Sequence, residues 1–215
     1  MDVDLEKGEE CNMSRYRGPN CKICQRNKTK LFLKGEKCDS AKCVFEKKQD
    51  NRKFSGRRLS EYGVRLREKQ KLRFYYGVTE TQMRNSFSKA VTAKGVTGYI
   101  LLLLFERRLD NIIYRAGLAP SRYAARQLVC HGHAKVDDRK VDIPSQVLKI
   151  GSVVSLKEVT SKRLKPILDK IAQDTLPSWL SFEKDKGIIK VVSYPKREEI
   201  DTPVDEQLIV EYYSR

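Results

Sequence analysis

The chain has 215 residues, a formal net charge of +16 and 40% hydrophobic residues, enough for one large domain or two small ones with a real core. The longest strongly apolar run, Tyr99 to Phe105, is far short of the roughly 20 residues a membrane helix needs, and the mostly acidic first ten residues do not read as a secretion signal. A positive excess of this size draws polyanions, and we read nucleic acid as that partner. Ser14 to Tyr75 holds 20 Lys or Arg against six Asp or Glu, and Asn111 to Val136 holds no acid at all. A surface so one-sided repels itself unless a counter-ion lies against it.

In chain order, residues 1–13 read as a leader, either disordered or an artefact of start-codon choice. Basic character begins with "SRYRGP", followed by a cysteine-rich, loop-like segment to about Lys48 and a basic linker, "NRKFSGRR", over 51–58. Ser60 is placed to cap a helix ending at Gly77, and Thr79 with Gln82 resembles a capping box for a helix to about Lys94. A long third helix is expected from Thr97 to about Ala116, stopped by Gly117, and a short fourth after Ser121, stopped by Gly132. The period then becomes strand-like. "HAKV" and "KVDI" flank a turn at Asp137-Asp138-Arg139, and "GSVVSLKEV" reads as a further strand. A helix from Ser161 to about Asp174 and short strands at "GIIKVVSY" and "QLIVEYYS" complete an α+β chain. The divisions expected are 14–97, a basic helical domain with the cysteines; 98–184, an α+β RNA-binding domain with a helix-helix-hairpin over about 108–156; and 185–215, a segment packing back on the helical domain.

Cys21, Cys24, Cys38 and Cys43 form C-x2-C-x13-C-x4-C. Zinc favours four thiolates in a tetrahedron, delivered as close pairs, and the surrounding segment has too few large apolar residues to fold on its own core. One structural zinc is expected, with no open position for catalysis. Cys11 and Cys130 fall outside the pattern.

The stretch "LVCHGHAKVDD", Leu128 to Asp138, places Cys130 beside the chain's two histidines, His131 and His133. Neighbouring helical residues point about 100° apart, and Gly132 turns the chain again, so the three do not converge as a metal or catalytic site. A structural and electrostatic reading fits better: His131 ends a helix, His133 opens a strand, and either ring can donate to phosphate or stack on a base.

"RRLDNIIYRAGLAPSRYAARQLVCHGHAKVDDRKVDIPSQVLKIGSVV" closely resembles the helix-helix-hairpin RNA-binding motif of the family of the fourth protein of the small ribosomal subunit. The opening "SRYRGP", the four cysteines, which match the family's zinc-knot-bearing type, and the closing "LIVEYYSR" extend the resemblance over nearly the whole chain. It departs at the hairpin turn, which usually reads Asn-Gly and is Asp137-Asp138-Arg139 here. The resemblance implies a non-enzymatic, cytoplasmic ribosomal protein with no membrane partner. Family members bind 16S rRNA early at a multi-helix junction of the five-prime domain, nucleate the subunit body, touch the fifth small-subunit protein, influence accuracy and, in some bacteria, repress their own operon mRNA.

The expected RNA contacts are Arg108, Asn111, Arg115, Arg122, Arg126, Gln127, His131 and Lys135 in the motif. A second set, some of it plain surface, is Arg15, Tyr16, Arg17, Arg57, Arg58, Arg65, Lys69, Lys71 and Arg73. Arg122 and Arg126 share a helical face, a like-charge pair that phosphate would stabilise. The rival readings are an RNA-modifying enzyme, for which too little chain remains beyond the motif, and a stand-alone RNA-binding protein.

Overall fold

A computed structural model describes residues 16, 18–49, 60–157, 160, 176–183 and 187–214. The expected linker over 51–58 and the helix expected from Ser161 lie outside the described residues. Two apolar clusters organise the rest, one in a helical unit and one under a sheet.

The cysteine-rich segment, expected as loop, is largely helical. Helix α1 spans Asn20–Asn27, α2 Glu36–Asp39 and α3 Val44–Gln49. Ile23, Leu31 and Leu33 enter the helical core from this segment. Three aliphatic side chains seated on a neighbouring core organise the segment, which local composition does not reveal.

Helix α4 spans Glu61–Tyr75, with the Ser60 side chain accepting from the Gly63 amide, and α5 spans Glu80–Thr92 with both halves of the Thr79–Gln82 capping box formed. Both starts follow the sequence because capping is local chemistry. The long third helix is in fact two. Helix α6 covers Thr97–Glu106, Arg108 is extended, and α7 covers Leu109–Arg115. The break is held from a distance. The Leu109 amide donates to the Gln146 carbonyl, Asp110 to Pro144, and Leu148 to Arg107, so the loop over 144–148 satisfies the backbone groups that an unbroken helix would have paired.

Helix α8, Arg122–Cys130, starts at the Ser121 cap and ends at Gly132, whose φ is +66°. Strands β1 (Ala134–Val136) and β2 (Arg139–Val141) form the expected hairpin. Its turn is two residues, Asp137 and Asp138, both at positive φ (49° and 64°), the backbone of a type I′ turn without its glycine. The Asp137 carboxylate accepts from the Val153 amide, tying the tip to the next strand. With β3 (Val153–Leu156), β4 (Leu180–Glu183) and β5 (Ile188–Val191) the hairpin makes an antiparallel sheet in the order β2-β1-β3-β5-β4. Ala134, Val136, Val154, Ile189 and Val191 alternate into the core, where Trp179 and α7 meet them.

The last segment is a further correction. "QLIVEYYS" is helical, α9 running Glu206–Tyr213, although its β-branched and aromatic content suggested a strand. The Asp205 carboxylate accepts from the Gln207 and Leu208 amides, and Ile209 is fully buried in the helical core with Ile200 and Val204. Capping and one buried stripe override a β propensity that is weak and context-dependent.

Candidate nucleic-acid interface

The arginines at the junction of α6, α7 and α8 do not point outward. Glu106, 1% exposed, lies at their centre. Its carboxylate accepts from the Tyr76 hydroxyl (2.6 Å), Asn111 Nδ2 (2.7 Å) and Arg115 Nε and Nη2 (3.1 and 3.0 Å). Burial alone would raise its pKa, but the Arg115 guanidinium, with Arg122 and Tyr76 beside it, outweighs burial and holds it below the ordinary carboxylate value. Burial also pushes the Tyr76 hydroxyl well above its ordinary value, and the Glu106 charge adds to that.

Arg122, 9% exposed, donates from Nε to Asn111 Oδ1 at 2.8 Å. Its guanidinium carbon lies 3.9 Å from the Tyr75 ring centroid, 4.4 Å from Tyr114 and 5.3 Å from Tyr76. A desolvated cation so enclosed is held by the ring quadrupoles. Arg108 forms a two-point pair with Asp110 (3.0 and 2.7 Å), and Arg126 donates to the same carboxylate at 3.2 Å. The acid-free stretch from Asn111 is thus balanced by Glu106 and Asp110, just ahead of it in the chain. Arg108, Asn111, Arg115, Arg122 and Arg126 make an internal lattice that fixes the angle between α7 and α8.

The other motif candidates are placed differently. Gln127 and His131 are exposed at the end of α8, and Lys135 is half-buried on β1. Of the second set, Arg15, Arg17, Arg57 and Arg58 lie outside the described residues. Tyr16 packs edge-on against Phe74, with centroids 6.0 Å apart. Arg65 pairs with Glu211 and Glu61, Lys69 with Glu80, Lys71 with Glu68, and Arg73 donates to Gln70 and lies over Phe74. Of the pairs made by the cations of α4, those with Glu211 and Glu80 tie it to neighbouring helices, and the others lie within the helix.

Around Lys135, already a candidate, the structure gathers two cations that sequence reasoning missed, Lys140 and Lys190. Lys135 and Lys140 are directly opposed across β1 and β2, and strand alternation puts Lys190 of β5 on the same outward face. Like charges directly opposed across strands destabilise a sheet. Neither Lys135 nor Lys140 has a carboxylate partner among the described residues. A Cβ on Gly132 would come within 2.5 Å of Lys140 Cε, so the lysine passes over the end of α8, where the helix dipole favours a cation. The signal was available: in a two-residue hairpin, Lys135 and Lys140 must face each other.

The four cysteines are all free thiols, with Cys24, Cys38 and Cys43 buried. Burial raises the pKa of Cys24 and Cys38, partly offset by backbone amides of Leu31 and Lys34, and the nearby thiols push the same way as burial. The thiols are therefore within electrostatic range of one another. Among the described residues, however, no group of three or more Cys, His, Asp or Glu is arranged to hold a metal ion.

Two family models match in tandem: the ribosomal protein S4/S9 N-terminal domain over residues 15–106 and the S4 domain over residues 107–154. The chain is 47% identical over 208 residues to the small ribosomal subunit protein uS4 of Pelotomaculum thermopropionicum, covering 94% of this chain and all of that protein. The chain belongs to the uS4 family of small ribosomal subunit proteins. The uS4A protein of Symbiobacterium thermophilum and the uS4 protein of Dictyoglomus turgidum are each 50% identical at the same coverage. The uS4 role is structural rather than enzymatic, as the resemblance implied, and no described helix is long and apolar enough to cross a membrane.

Proposed function

We propose that this uS4 protein acts as a rigid cationic scaffold on small-subunit rRNA in the cytoplasmic ribosome, screening the repulsion between RNA helices where several meet. The observation that carries this reading is the opposed Lys135–Lys140 pair on the outward face of the sheet, an arrangement that gains from an intervening phosphate. Gln127 and His131 flank it at the end of α8. The internal arginine lattice supplies the stiffness that shape recognition of RNA requires, since the narrow RNA major groove excludes side-chain readout. The family resemblance extends the proposal to a junction in the five-prime domain of 16S rRNA, to early nucleation of the subunit body, to contact with the fifth small-subunit protein and an influence on accuracy, and to repression of the protein's own operon mRNA.

Titration against a five-prime-domain rRNA fragment and a scrambled RNA of equal length, at several salt concentrations, tests it. A large preference surviving at high salt is expected. Lys135→Ala with Lys140→Ala should lower the salt slope by about two, one for each phosphate that the variant leaves unneutralised. Equal, steeply salt-sensitive binding to both RNAs would refute junction recognition.

We also propose that Cys21, Cys24, Cys38 and Cys43 hold one structural zinc. The donor chemistry suits it: four thiols at knuckle-like spacing within electrostatic range, three of them buried, with backbone amides directed at two of the sulfurs. Zinc would supply cross-linking energy to a segment with little core of its own, drawing the thiols together as it binds. Protein purified without chelator should carry about one zinc per chain and show four thiols released to titration when the metal is removed. Metal-free protein with all four thiols already reactive would overturn this assignment.

A further inference from the structure

A depression of about 340 Å3 opens beside the end of α8. Its apolar lining comes from Leu118, Pro120, Ala124 and Leu128, and its polar lining from Gln127, His131 and His133. The volume falls at the small end of the ~300–1,000 Å3 range of ligand-binding pockets. The two imidazoles lie within 20° of parallel, with centroids 6.3 Å apart, so the planar surfaces at that end share one orientation. His133 is held by a hydrogen bond between Nδ1 and Thr160 Oγ1 (3.0 Å), while His131 is exposed. The Gln127 amide, also exposed, makes no side-chain hydrogen bond among the described residues, so both its donor and its acceptor remain available.

We propose that this depression takes a single unpaired nucleobase of the bound RNA, its face against the apolar lining and imidazoles and its edge read by the Gln127 amide. The inference rests on the RNA-binding reading above and assigns a base contact to a surface otherwise built for phosphate. Three features favour a base as the occupant. The site is small and apolar-floored, which suits a flat ring. Its rim carries groups that stack and a group that hydrogen-bonds in the plane of a ring, which is how single-stranded bases are read. One flank is cationic: His131 leads through Gly132 to the Lys135–Lys140 face. A base splayed from a junction would thus have its own backbone phosphate near cations on that side.

The test compares the full chain with His131→Ala, Gln127→Ala and the double variant, all exposed positions, in titrations against the five-prime-domain rRNA fragment at several salt concentrations. Dimethyl sulfate and carbodiimide probing of the complexes runs alongside. The double variant should bind roughly 10- to 100-fold more weakly with an unchanged salt slope, the range expected for losing one stacked base, and one unpaired base protected by the wild type should become reactive. Unchanged affinity with unchanged base reactivity would overturn the proposal, as would a slope lowered by about one in His131→Ala, which would make the imidazole a phosphate contact. In either case the wild type would still prefer the rRNA fragment. Loss of that preference in the wild type itself would instead strike the RNA-binding reading.

Discussion

Replacing Glu106 with alanine should destabilise the fold by about 3–5 kcal/mol, because it strips the counter-charge from buried guanidinium groups. Arg115 and Asn111 donate directly to the carboxylate, and Arg122 is tied to it through Asn111. Removing the acid leaves Arg122 desolvated among tyrosines, leaves Arg115 with only the exposed Asp201 at 3.3 Å, and orphans the Tyr76 hydroxyl on that side. Chemical denaturation at neutral pH measures the loss. Glu106→Gln keeps the shape and some hydrogen bonds and should lose less. The pH dependence has a definite sign. The folded-state pKa of Glu106 is depressed, so its contribution is fully present above the ordinary carboxylate value near 4.3 and disappears as pH falls through the lower folded value. Wild-type stability should therefore fall more steeply below about pH 4 than that of Glu106→Gln. Equal acid slopes would show that the carboxylate is not ionised in the fold.

The second large effect is expected at Gly35. Its φ is +60°, and a Cβ there would lie 2.1 Å from the Pro120 carbonyl oxygen, a backbone atom that cannot rotate aside. Gly35→Val combines the strain of a glycine-only backbone conformation (φ +60°, ψ −139°), about 1–3 kcal/mol, with a direct clash. The expected result is separation of the cysteine-bearing segment from the loop ahead of α8, read as new protease cleavage between residues 28 and 43 together with a drop in Tm. Unchanged protection would mean that the contact at Pro120 does not hold the segment. Since Pro120 also lines the depression beside α8, Gly35→Val should weaken RNA binding as well.

What was legible in the chain was local. Ser60, the Thr79–Gln82 box, Ser121 and Gly132 mark helix ends through groups within four residues of one another, and the structure keeps them all. The hairpin was legible from its alternation, and its Asp-Asp tip adopts the turn that Asn-Gly would make more easily. Two misreadings of the helices came from partners far away in sequence. The break at Arg108 depends on residues 144–148, and the helical state of α9 depends on burying Ile209 in the helical core. The arginines from 108 to 126 looked like an RNA face because charge counted in a window excludes acids at its edge. Glu106 and Asp110 sit at that edge and bind them inward. The cations left facing out, Lys135 and Lys140, draw their meaning from strand register, which a count of charges does not contain.

The two cores differ in how they are assembled along the chain. Among the described residues, the core under the sheet is built from residues 109 to 191, whereas the helical core joins residues 23–105 to Ile200, Val204 and Ile209. Tyr75 reaches forward to the Asp201 carbonyl, and Arg65 to Glu211, across more than a hundred residues. A nascent chain emerging from its N-terminus therefore presents the helical unit first but cannot finish it until residues 200–209 leave the exit tunnel. The later-made sheet unit has its whole core in hand sooner. The order of completion inverts the order of synthesis, and a chain that terminates a dozen residues early would carry a finished sheet unit beside a helical unit still open on one side.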